Sequence, residues 1–272
     1  MSYTVEHSCE DGIERIVYRP LEKRFETPIV MQHGMWHGAW CWEPWQKLLA
    51  EWGWESHAHS LPGHGQSPVQ RPIRWCTLGY YQKFLRAEVD RMARPPVLMG
   101  HSMGGALTQW YLRQVGDLPA AVLVAPWLSH SMMGPILRTV GRDPWGFTRT
   151  FLHLTTTPLV RNPYRAAQMF IHEGALFSPE ALHERLGPES MWVLLQYNPP
   201  FWFPAQQVNT PLLWLAGAAD TLISEAAERR SAAHYGAEYV VVPEAGHSLM
   251  MEKGHRETAV TIHNWLLEQE LL

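Results

Sequence analysis

Cysteine is scarce in this chain of 272 residues: Cys9, Cys41 and Cys76 are odd in number, far apart and in no Cys-x-x-Cys arrangement. That argues against a disulfide framework and against a thiolate zinc site, and leaves three reduced, structural thiols as the expectation. An excess of one charge is also lacking. With 22 basic against 26 acidic residues the formal net charge is −4, which offers no basic surface to a nucleic acid. No apolar run approaches the roughly 18 residues that span a bilayer. The opening Met1-Ser2-Tyr3-Thr4-Val5-Glu6-His7 has neither the basic stretch nor the apolar stretch of a signal peptide. A cytoplasmic protein is expected, although a processed secreted form would read the same. No internal repeat or low-complexity tract is present. Tryptophan, by contrast, is abundant: fourteen residues spread from Trp36 to Trp265, enough to line a cavity as well as fill a core.

Apolar periodicity alternates between strand and helix. Strands are predicted at 13–18, 29–32, 54–59, 120–125, 212–216 and 239–242, with a further buried strand in the run Pro96-Val97-Leu98-Met99. Helices are predicted at 42–51, through Tyr81, Leu85, Val89 and Met92, after Gly105, at 225–235 and at 257–267. Such alternation implies an α/β fold, a mainly parallel central sheet with helices on both faces and reactive loops at the carboxyl ends of the strands. From 128 to 207 the rhythm changes, because strand-like runs vanish and prolines separate helix-sized fragments rich in Met, Trp and Phe. The reading is a core of 1–127 and 208–272 interrupted by an inserted helical cap at 128–207.

Gly100-His101-Ser102-Met103-Gly104 stands between the buried strand and a helical stretch, the context of a serine held on a tight strand-to-helix turn. A serine hydroxyl needs a base and a carboxylate to orient that base. Asp220 follows the strand at 212–216, His247 follows the strand at 239–242, and the order Ser102, Asp220, His247 is the one such a turn requires. Glu244 is the rival carboxylate, but from three residues away it would have to fold back beneath the ring. An oxyanion needs N–H donors; Met103, after the serine, and Met35, in His33-Gly34-Met35-Trp36-His37-Gly38, are the candidates. His33 and His37 read as loop braces, since the base is already assigned.

At these residues the chain resembles the α/β-hydrolase superfamily. The likeness rests on His33-Gly34, Pro62-Gly63-His64-Gly65-Gln66-Ser67, the serine turn, Gly217-Ala218-Ala219-Asp220 and Gly246-His247, and covers nearly the whole chain outside the cap. It implies the fold and a Ser102–His247–Asp220 triad, and leaves open esterase, lipase, thioesterase, carbon–carbon hydrolase, haloperoxidase and lyase chemistry. Dehalogenases and epoxide hydrolases of this fold carry an aspartate where Ser102 stands. The stretch from His33 to Trp40 looks like a segment shared by plant methylesterases and hydroxynitrile lyases. The lyases have threonine at the place of Gly34 and use a lysine near the site, whereas 128–207 contains no lysine.

The expectation is therefore a carboxylesterase-type serine hydrolase, needing no cofactor or metal, acting on neutral, hydrophobic small esters. Trp36, Trp127 and Met132, with Met133, are expected as pocket walls. Six cap arginines against five acids indicate no dedicated anion clamp. Carbon–carbon or thioester cleavage by the same triad is the alternative chemistry. A non-catalytic ligand receptor that keeps the pocket is the alternative class. A metal site on His57, His59 and His64 is disfavoured, because no acidic partner follows at once; His57 and His59 are expected on the polar face of a strand end.

Overall fold

The computed structural model describes residues 2–269 and Leu271. Its strands are β1 (Tyr3–Glu10), β2 (Ile13–Pro20), β3 (Ile29–Gln32), β4 (Ser56–His59), β5 (Val97–His101), β6 (Ala121–Val124), β7 (Leu212–Gly217) and β8 (Glu238–Val242). They form one sheet in the order β1-β2-β4-β3-β5-β6-β7-β8. β1 and β2 run antiparallel to their neighbours, and β4 through β8 are mutually parallel. The continuous apolar runs of β3, β5, β6 and β7 are buried along their whole length, as parallel strands covered by helices on both faces require.

The helices outside the connection from β6 to β7 are α1 (Glu43–Glu51), α2 (Leu78–Asp90), α3 (Met103–Gln114), α9 (Glu225–Tyr235) and α10 (His255–Glu268). Tryptophan ties them to the sheet and to one another. Trp45, fully buried in α1, donates its indole N–H to the His255 carbonyl at the start of α10 at 2.9 Å. Trp42, Trp54, Trp202 and Trp214 are equally inaccessible; truncating such a side chain costs roughly 3–5 kcal/mol.

Between β6 and β7 lie α4 (Met133–Arg142), α5 (Pro144–His153), α6 (Pro163–Phe170), α7 (Pro179–Arg185) and α8 (Met191–Gln196), with no strand among them. Three of the prolines in this stretch start helices. Asp143, Asn162 and Ser178 cap α5, α6 and α7 through their side chains, and Pro144, Pro163 and Pro179 follow at once. Proline suits that first position because it has no N–H to satisfy and its φ is already helical.

One strand is added to the sequence reading and several element ends shift by one or two residues. β1 was not anticipated, because Tyr3–Glu10 is mostly exposed and carries no buried alternation. Trp54 and Glu55 lie outside β4, which starts at Ser56 where pairing with β2 and β3 begins.

Candidate active site

Ser102 sits between the end of β5 and the start of α3 with φ 53° and ψ −116°. A side chain forced into that region costs about 1–3 kcal/mol, so the surroundings must hold it there. The Ser102 N–H donates to Val124 O at 3.0 Å, and its carbonyl accepts from Ala106 N–H at 3.1 Å and Trp127 N–H at 3.2 Å. Space is equally restricted. A methyl group on Gly104 would strike the Gln32 carbonyl, and one on Gly100 would strike Thr108 and the Gly104 backbone.

The loops after β7 and β8 bring the other two groups to this turn. Ser102 Oγ lies 2.8 Å from His247 Nε2, and His247 Nδ1 lies 2.7 Å from Asp220 Oδ2. A carboxylate only accepts, so Nδ1 carries the proton and Nε2 is left free to accept from the serine hydroxyl. Asp220 is itself fixed, its Oδ1 accepting the Leu222 N–H at 2.7 Å and the Ile223 N–H at 3.1 Å. The Asp220 and His247 side chains are both almost wholly shielded from water. Glu244 is not part of this set: it is exposed on the turn after β8, at φ 51°. An imidazole placed this way can take the serine proton and return it to a leaving group.

Met103 is the first residue of α3, so its N–H has no intrahelical acceptor. Met35 lines the same cavity as Ser102 and His247. Its N–H direction is set by His33, whose Nδ1–H donates to Gly34 O at 2.7 Å while its Nε2 accepts the Leu61 N–H at 3.0 Å. In a trans peptide the C=O and N–H point opposite ways, so anchoring the Gly34 carbonyl aims the Met35 N–H. The Met35 carbonyl is in turn bound by His37 Nδ1 at 2.7 Å. Burial keeps these rings neutral: it pushes His33 and His101 well below the ordinary imidazole range, and His37 down to about 4.

Trp36, Trp127 and Met132 all line the cavity above Ser102, which holds about 60 Å³ and has no charged carboxylate, lysine or arginine in its wall. The helices between β6 and β7 supply Ile136, Phe147, Met169 and Leu194. Met133 does not join them; it faces outward at the start of α4, 47 % exposed. Further residues lining the cavity, Leu222 and Ile223, stand two and three residues after Asp220 and carry no motif that marks them in the sequence.

The other histidines are engaged elsewhere. His57 pairs with Glu55 at 3.0 Å and His59 with Gln32 Oε1 at 2.9 Å. His59 is buried rather than on a polar face, and its bond to the equally buried Gln32 satisfies its Nε2 there. His64 bonds Glu189 of the insertion at 3.1 Å. Among the described residues no group of three or more His, Cys, Asp or Glu is placed to hold a metal ion, and no helix is long and apolar enough to cross a membrane.

Residues 29–260 match the alpha/beta hydrolase family, and the chain belongs to that family. In sequence it is similar to the pFDCC methylesterase MES16 of Arabidopsis thaliana, 32 % identical over 111 residues, 39 % of this chain and 40 % of that protein. The match thus spans well under half the length of that relative. In structure the chain is similar to a monoacylglycerol lipase of Paleococcus ferrophilus (TM-score 0.67, 19 % identity, 94 % of this chain and 99 % of that one). It is likewise similar to a soluble variant of the Saccharomyces cerevisiae monoglyceride lipase (TM-score 0.71, 15 % identity, 99 % and 97 %). A thermophilic esterase of Thermogutta terrifontis gives a TM-score of 0.65 at 18 % identity over 99 % of both chains.

Proposed function

We propose that this protein is a serine esterase that cleaves carboxylic esters of neutral, hydrophobic small molecules through an acyl-enzyme. The observation that carries the reading is the continuous chain of hydrogen bonds Ser102–His247–Asp220 beneath an apolar cavity. The family membership and the methylesterase, esterase and lipase relatives support it.

Ser102 Oγ attacks the ester carbonyl as His247 Nε2 takes its proton, and Asp220 steadies the resulting imidazolium. The Met35 and Met103 N–H groups hold the oxyanion. Collapse of that adduct expels the alcohol, which takes the proton from His247, and leaves Ser102 acylated. Water, deprotonated by the same imidazole, then releases the acid. The inserted helices serve as a cap that shields the reaction, with Trp36, Trp127 and Met132 against the substrate.

Trapping the covalent step tests this. Brief incubation with phenylmethylsulfonyl fluoride should add one sulfonyl group to the intact protein, on Ser102, and abolish ester cleavage. Modification at another residue, or cleavage that survives full modification of Ser102, contradicts the proposal.

A further inference from the structure

His247 is flanked by two residues whose backbone N–H groups are both held, one by the end of α6 and one by a side chain farther along the β8–α10 connection. The Ser248 N–H donates to the carbonyl of Phe170, at the end of α6, at 2.7 Å. The Gly246 N–H donates to Oε1 of Glu252 at 2.8 Å. The same carboxylate accepts the His172 N–H, at 2.9 Å to Oε1 and 3.2 Å to Oε2. Leu176 N–H closes the seam by donating to Met251 O at 2.8 Å. The inserted segment at 170–176 is thus fastened along 246–252, and Glu252 is the one side chain in the seam that bonds both sides.

Glu252 is 1 % exposed and has no cationic partner within ion-pair distance among the described residues. Its carboxyl is pushed up by burial, the backbone N–H groups offsetting this only in part. A buried carboxylate is costly, and the ester chemistry above does not use this one. What it does is satisfy the Gly246 amide, which would otherwise be an orphaned buried donor, immediately before the residue whose Nε2 must stay 2.8 Å from Ser102 Oγ. The His247 carbonyl is pinned as well, by His101 Nε2–H at 3.1 Å.

We propose that Glu252 is a positioning residue for His247, setting the imidazole through the Gly246 backbone and making the segment at 170–176 part of the frame that holds the base. This rests on the reading of Ser102, His247 and Asp220 as the reacting set. Displacing a reacting group by about 1 Å costs on the order of 10²-fold in rate, so the effect belongs in kcat rather than KM.

The test uses the full chain with Glu252→Leu, Glu252→Asp and Glu252→Gln. It measures kcat and KM for 4-nitrophenyl butyrate, the rate of Ser102 sulfonylation, and the low-field proton resonance of the His247 Nδ1–H. Leu and Asp remove or withdraw the acceptor and are expected to lower kcat and the sulfonylation rate about 10²-fold with KM nearly unchanged. Gln keeps an acceptor oxygen and is expected to restore kcat to within several-fold and to keep the resonance. If Glu252→Leu fails to fold, the Asp and Gln pair decides. Wild-type kcat in the Asp variant, or a Gln variant no better than Asp, overturns the proposal. Ser102→Ala run alongside separates the two failures: turnover there sinks the reacting set itself, whereas a dead Ser102→Ala beside a fully active Glu252→Asp sinks only the positioning role.

Discussion

His64 Nε2 and Glu189 Oε2 lie 3.1 Å apart with neither side chain reached by solvent. One belongs to the loop after β4 and the other to the helical connection between β6 and β7, so this contact fastens that connection to the loop. Glu189 also accepts the Tyr81 hydroxyl at 2.9 Å and the Ser190 N–H at 2.7 Å. Removing it strands three buried polar groups. Glu189→Leu should therefore destabilise the protein by about 3–5 kcal/mol in urea unfolding. Breaking the exposed Arg229–Glu225 pair should leave the midpoint in place. Equal midpoints for the two variants would remove this role from Glu189.

On the proposed mechanism His33 acts through the Gly34 carbonyl that its Nδ1–H holds. Without its ring nitrogens the Gly34–Met35 peptide loses that anchor and the Met35 N–H loses its aim. His33→Phe should lower kcat for neutral esters by about 10–100-fold, less than the roughly 10²–10³ expected for complete loss of an oxyanion donor. KM should hold. A rise in KM with kcat unchanged would show that Met35 contributes only to ground-state binding.

Asp220 and Glu244 give opposite expectations. Asp220→Asn keeps the shape but lets the imidazole adopt the wrong tautomer, and kcat should fall by about 10⁴-fold. Glu244→Gln, on an exposed turn, should stay within about twofold, as surface changes away from the site do. Steady-state kinetics of both variants decide the carboxylate, and a reversed ranking would reassign it.

Acid should unfold this protein early. His37 is lowered from 6.5 to about 4 by burial, and His33 and His101 are lowered by the same cause. For each ring a depressed folded value means that, below the unfolded pKa, the unfolded chain binds more protons than the folded one. Stability is therefore full above about pH 6.5 and is lost as the pH falls toward 4. For His37 alone the loss is roughly 3 kcal/mol, and the three rings act in the same direction. Urea midpoints measured from pH 7 to 4 should fall steadily, and His37→Gln should flatten the slope. A midpoint constant over that range contradicts the neutral, buried assignment.

Much of the frame was legible because burial on two faces leaves continuous apolar runs: Ile29–Gln32, Val97–His101 and Leu212–Gly217 need no partner to be recognised. β1 is an edge strand that alternates poorly. Its signal lay instead in the turn, where Asp11 and Gly12, at φ 54° and 71°, join Glu10 to Ile13 as a two-residue hairpin. Ser102, Asp220 and His247 were legible because each closes or follows a strand. Glu189 and Glu252 were not, since a lone glutamate in a loop acquires its meaning only from backbone and side chains brought to it by the fold. Met133 failed for a related reason: adjacent residues on a helix face different ways, and Met132 took the inward place.

The central claim is that one hydroxyl carries the reaction. Turnover of 4-nitrophenyl butyrate by purified wild type and Ser102→Ala, at matched folding by circular dichroism, tests it most directly. The account predicts cleavage by the wild type and a fall in kcat of about 10⁴-fold or more in the variant. Comparable turnover by both proteins, or none by either, would contradict it.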